Sequence, residues 1–123
     1  MRELIERLEQ LPGLFAEPLY RSAKRRALLD FATSAGLNDE DLGWFDGALG
    51  GSLDAAVKLV PNGHAWQVRH KCSRDGDVAY CNAQVWRYSD PRDDDVPRHW
   101  ASHEHAALAI VIAALKAREA GNG

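Results

Sequence analysis

Two alternating patterns meet at a tight turn between residues 64 and 88, and together they dictate a β-hairpin. Trp66, Val68, His70 and Cys72 alternate with Gln67, Arg69 and Lys71. That is the period of two of a half-buried strand, whose successive side chains point to opposite faces. Asp75-Gly76 follows, and Gly supplies the positive φ that a two-residue hairpin turn demands. A turn there sets the register: 72 faces 79, 70 faces 81, 68 faces 83 and 66 faces 85. Facing residues share one side of a sheet, so Ala79, Cys81, Ala83 and Val85 join Trp66, Val68, His70 and Cys72. The four added positions are all apolar or thiol, and a slip of one residue would spoil the match.

Helices flank this hairpin. Leu4, Ile5, Leu8 and Leu11 form the apolar stripe of a short helix that Pro12-Gly13 ends. Pro18 can open a second helix, with Tyr20, Ala23, Ala27, Leu28, Phe31 and Ala35 on one face and Gly36 at its cap. The stretch 41–51 holds Trp44 and Phe45 among Gly43, Gly47, Gly50 and Gly51, which reads as a turn with a short strand. Ser52 reads as the N-cap of a short helix to about Leu59, with Asp54 near its positive end and Pro61-Asn62-Gly63 as its stop. The polar run SDPRDDDVPRHW reads as a loop. Ser102 then caps a last helix, with Glu104 in its first turn and Lys116 and Arg118 near its end. That helix is apolar almost all round, so it should be buried on more than one side.

The expected fold class is α+β. A small antiparallel sheet is built on a 64–72/77–88 hairpin and packed by helices, like an alpha-beta-alpha sandwich. All of 1–123 forms one domain, with N-terminal helices in 1–36 and a helix-hairpin-helix core in 52–120. The length is ample for one core. A net charge of −3 argues against general nucleic-acid binding and against adsorption to anionic membranes. Two cysteines are no disulfide framework. The charged start MRELIERLEQL lacks a signal-peptide core, and the longest apolar run, 106–115, is too short to span a bilayer. The cytoplasm of a bacterial cell is the expected compartment.

Two segments carry a family resemblance. SLDAAVKLVPNGHAWQV at 52–68 and AALAIVIAALKAREA at 106–120 resemble the corresponding stretches of the phage ABA sandwich domain, a family of small uncharacterised proteins of tailed phages and prophages. The resemblance implies helices on both sides of a small antiparallel sheet, and a phage or prophage origin. It implies no reaction, cofactor or catalytic residue.

Chemistry-bearing residues form three groups. His70, Cys72 and Cys81 share a hairpin face and suit zinc, although no Cys-x-x-Cys occurs; the plainer reading is buried thiols that pack as small hydrophobes. His99, His103 and His105 stand near Asp93, Asp94 and Asp95. They could form an acid/base or metal loop, or simply a solvated helix start beside a solvated loop. Arg21, Lys24, Arg25 and Arg26 read as the exposed side of the second helix. No nucleophile elbow or phosphate loop occurs, and no cofactor is indicated.

Trp86 falls on the opposite hairpin face with Val78, Tyr80 and Tyr88, a surface too aromatic to be wholly wet. Further helices cover it, or a partner does. Trp86, Tyr88 and Tyr80 are therefore the candidate partner surface, for another protein or a second copy. Two functions stay open: a non-enzymatic phage or prophage accessory protein that binds or assembles, and a small metal-assisted enzyme using His70/Cys72/Cys81 or the His99–His105 region.

Overall fold

The computed structural model describes residues 1–10, 23–72, 79–87 and 97–122, with the side chains of 23, 24, 71, 72, 79 and 122 excepted. Its described elements run α1 (Arg2–Glu9), α2 (Ala23–Ser34), α3 (Asp39–Leu49), α4 (Leu53–Val57), β1 (His64–Cys72), β2 (Ala79–Arg87), β3 (Arg98–His103) and α5 (Ala106–Asn122). This is an α+β fold, with one antiparallel three-stranded sheet in the order β1-β2-β3 packed against helices. Among the described residues no helix is long and apolar enough to cross a membrane.

The hairpin register is the one its alternation dictates. Cys72 pairs with Ala79, His70 with Cys81, Val68 with Ala83 and Trp66 with Val85. The Asp75-Gly76 turn itself lies outside the described residues, as do Val78 and Tyr88. Cys81, Ala83 and Val85 are buried under α5, the helix that packs on all three strands. Trp66 departs from its expected place in the core. It lies on the same side of the sheet as Val85 but is 40% exposed. β1 is an edge strand, and α5 packs far more extensively on β2 and β3 than on β1. Val68 is accordingly only half-buried.

β3 takes up Arg98–Trp100, the end of the expected loop, and the expected helix cap; residues 89–96 of that loop lie outside the described residues. Its inward positions are His99, Ala101 and His103, its outward ones Arg98, Trp100 and Ser102, and it pairs through Ala83↔Ala101 and Cys81↔His103. Ser102 is therefore a strand residue, accepting from Asn82 Nδ2 at 3.2 Å. It caps nothing, and Glu104 precedes the first turn of α5 instead of lying in it. The alternation was hidden because two of the three inward side chains are histidines, which hydropathy counts as polar.

α3 also corrects the expectation of a turn with a short strand. Asn38 caps it, its side-chain oxygen accepting from Asp41 N at 2.8 Å, and Asp39, Glu40 and Asp41 lie at the positive end. Phe45, Ala48 and Leu49 form its buried stripe. Each interior glycine costs a helix about 1 kcal/mol relative to alanine, and here the cap and the buried stripe outweigh that cost. Gly47 serves the packing directly: a Cβ there would meet Ala55 Cβ of α4 at 2.9 Å.

The other helices follow their sequence signals. Leu4, Ile5 and Leu8 are the buried stripe of α1; Leu11 and Pro12-Gly13 lie outside the described residues. Ser52 caps α4, accepting from Ala55 N at 3.2 Å, and Gly63 takes φ 76° beyond it. Gly36 ends α2 at φ 98°. Its N–H donates to Thr33 O, and Leu37 N–H to Ala32 O, the paired bonds of a Schellman motif. The buried residues of α2 are Leu28 and Ala32, while Ala27 is exposed, so the stripe is rotated from the expected one. Pro18 and Tyr20 lie outside the described residues.

α5 is the centre of the molecule. Residues 107–115 are all buried, with the sheet on one side and α1, α3 and α4 on the others. Near its end Arg118 ties three elements together. Nε donates to Leu59 O at 2.9 Å, while Nη1 and Nη2 bind the two Asp41 oxygens at 3.0 and 3.3 Å.

Close α3–α4 packing makes a specific prediction at Gly47. Gly47→Ala should improve helix propensity by about 1 kcal/mol, yet the Ala55 clash should leave the protein destabilised by roughly 1–3 kcal/mol. The urea midpoint should therefore fall; a raised midpoint would show that the two helices part without cost.

Candidate functional site

The sheet has two unlike faces. One lies against α5. On the other, strand alternation and pairing bring together Tyr80, Asn82, Gln84 and Trp86 of β2 with Ala65, Gln67 and Arg69 of β1 and Arg98, Trp100 and Ser102 of β3. None of the described helices packs on this outer face to any extent, since α5 makes the helix–sheet contacts from the opposite side.

Gln84 sits at its centre, facing Gln67 on one flank and Trp100 on the other. Although it points away from the core it is only 7% exposed, because its neighbours roof it. Arg98 Nη1 donates to Gln84 Oε1 at 2.9 Å, and the same guanidinium stacks 4.5 Å above the Trp86 ring. Such a stack is worth about 0.5–1 kcal/mol at an exposed site. The result is a connected Trp86–Arg98–Gln84 assembly. Beside it Trp100 stands 51% exposed. On β1, with the Gln67 amide turned to suit, its oxygen accepts from Arg69 Nε at 2.9 Å. No described outward position of the three strands carries a carboxylate.

Two residues named for the candidate partner surface lie on this outer face. Trp86 and Tyr80 are on it, both half-buried; Tyr88 lies outside the described residues. Trp100 was missed because its stretch reads as a loop. The available signal was the RHWASH alternation, read with histidine allowed inside.

The described histidines and cysteine are grouped differently from the expected sets. His70, Cys81 and His103 lie on one rung of the three strands, with His70 exposed and the other two buried. The Cys81 thiol donates to Glu104 O at 3.8 Å, and burial pushes its pKa up, so it stays protonated and is a poor nucleophile. His103 Nδ1 accepts from His105 N at 3.0 Å, and the two rings stack with centroids 6.0 Å apart. His99 is four strand residues from His103, about 13 Å away at the usual rise. The Cys72 side chain and Asp93–Asp95 are outside the described set. Among the described residues no group of three or more His, Cys, Asp or Glu is placed to hold a metal. Of the basic run, Arg26 is exposed and Arg25 Nε binds Asp46 Oδ1 at 2.6 Å across to α3; Arg21 and the Lys24 side chain are not described.

His99 lines a groove of about 580 Å³ between α1, α5 and β3. Its rims are closed by ion pairs, Arg2 to Glu119 at 3.6 Å and Lys116 to Glu9 at 3.7 Å. Lys116 also donates to Trp100 O at 2.9 Å, covering one acceptor of the β3 edge. The groove offers no nucleophile.

Comparison of the chain with protein-family models, curated proteins and solved structures finds no match.

Burial, then the charges of His64 and Lys116, push His99 below its ordinary pKa of 6.5. Unfolded His99 therefore binds a proton at higher pH than the folded form does. Its contribution to stability is whole above pH 6.5 and is lost as pH falls from there through the lower folded value. His99→Gln should flatten that acid-side loss, read as urea midpoints on either side of pH 6.5; a variant with the same slope as the parent would refute the assignment.

Proposed function

We propose that this protein is a non-enzymatic binding module, an accessory or assembly factor that docks another protein on the outer face of its sheet. One observation carries the reading: an exposed Trp100 beside the Arg98–Trp86 stack, on hydrogen-bonded strands. Trp and Arg are enriched among the residues that carry most interface energy, and side chains already held in place lose less entropy on binding. The Cys81 thiol, kept protonated by burial, is a poor nucleophile, which favours binding over catalysis on that rung. The apolar surface of α5 is consumed inside its own chain, which leaves the sheet face as the docking surface.

The resemblance of segments 52–68 and 106–120 alone points this role to a phage or prophage, within the host cell; the helices on both sides of the sheet that it implies are not met among the described residues. Affinity capture from phage-infected or lysogenic cells tests the reading with two baits, the parent and Trp100→Ala. Proteins retained by the parent should be lost from the variant, with the unfolding midpoints of the two unchanged. Capture indifferent to Trp100 would overturn docking through this face.

A further inference from the structure

We infer that the segment docked on the outer sheet face is acidic: an extended stretch of protein whose carboxylates reach Arg98 and Arg69 and whose apolar side chain covers Trp100. This rests on the docking reading above and names the chemistry of the partner.

Charge is the first argument. The chain carries 18 Asp and Glu against 15 Lys and Arg, yet no described outward position of the sheet holds an acid, while Arg69 and Arg98 stand there exposed. At the described outward positions of this face an unpaired carboxylate meets donors and no like charge. Guanidinium geometry is the second. Arg98 has five N–H donors; its stack on Trp86 fixes the plane, and one donor goes to Gln84. A planar fork held in this way suits a carboxylate, which it can bind through two parallel hydrogen bonds.

Spacing is the third. Arg98 shares a rung with Trp86, and Arg69 shares one with Asn82 and Ser102, while Trp100 and Gln84 occupy the rung between. The two arginines are thus two strands apart across the sheet and four residues apart along it. At the usual strand spacing and rise their backbones are about 16 Å apart on a diagonal. An extended segment covers that distance in about five residues. Acidic residues four or five apart, with an apolar residue between them over Trp100, complement the face.

Single-stranded nucleic acid, with its phosphates and stacking bases, is the competing anion. It fits less well. Useful affinity for a phosphate backbone draws on about 6–10 cationic contacts, whereas the described face offers two arginines on a chain of net charge −3.

The test uses the full chain and three fluorescein-labelled peptides of one length. Each has two charged pairs five residues apart around a central Leu, with Glu, Gln or Lys at the charged positions. An oligothymidylate is the fourth probe. The Glu peptide should bind at least about tenfold tighter than the Gln peptide, a ratio worth 1.4 kcal/mol, and its affinity should fall as salt rises. Arg98→Gln and Arg69→Gln should each remove most of the preference of Glu over Gln, and Trp100→Ala should weaken both peptides alike. Equal binding of the Glu and Gln peptides, preference for the Lys peptide, or tighter binding of the oligothymidylate would each overturn the acidic partner. If capture from cells still depends on Trp100 in those cases, the charge inference alone has failed. If capture is indifferent to Trp100, the docking face has failed with it.

Discussion

Burial of α5 on every side is the constraint on which the rest of the structure depends. Ala107 to Leu115 has no polar residue, so none of its faces can be left to water without losing roughly 25 cal/mol for each Å² of apolar surface exposed. The sheet covers one side, and α1, α3 and α4 cover the others. Its alanines let those neighbours approach closely, because each presents a single methyl to the layer above it. Where α5 turns polar, at Lys116 and Arg118, the side chains reach outward to fasten neighbouring elements. Lys116 holds the β3 edge, and Arg118 holds the start of α3 and the turn that follows α4.

That same demand leaves the sheet asymmetric. With α5 filling one face and the described helices gathered around α5, the other face is free of helix cover among the described residues. Its polar centre is then stabilised from within. Gln84 is buried by Arg98 and by the aromatic rings beside it, and its amide finds a charged donor, so a polar group sits out of water without being left unsatisfied. This surface of aromatic rings, amides and arginines on paired strands is sparsely charged and free of described acids.

The hairpin, the Ser52 cap and the closing helix were legible in the sequence because each signal is local. Alternation sets a strand, an oxygen two or three residues from a free N–H sets a cap, and a long apolar run sets a buried rod. β3 and α3 were not. β3 hides its period because His99 and His103 point inward, and α3 is an amphipathic helix whose glycines argue against it residue by residue. Both are decided by what lies opposite: a half-filled β2 edge for the one, and the Ala55 methyl beside Gly47 for the other. Trp86 and Tyr80 were legible as a surface; Trp100, the most exposed aromatic among the described residues, became part of it only when β3 paired with β2.

By itself the sequence determined which residues alternate, which face each other across the hairpin, and which helix has to be central, because those follow from the geometry of the chain over a few residues. Tertiary structure decided the depth of each position. Trp66 and Val85 share a rung and a face, yet one is 40% exposed and the other fully buried, since α5 lies over the inner strands and leaves the β1 edge partly uncovered. Burial is a property of neighbours brought together from distant parts of the chain, and no local pattern encodes how far a covering helix extends.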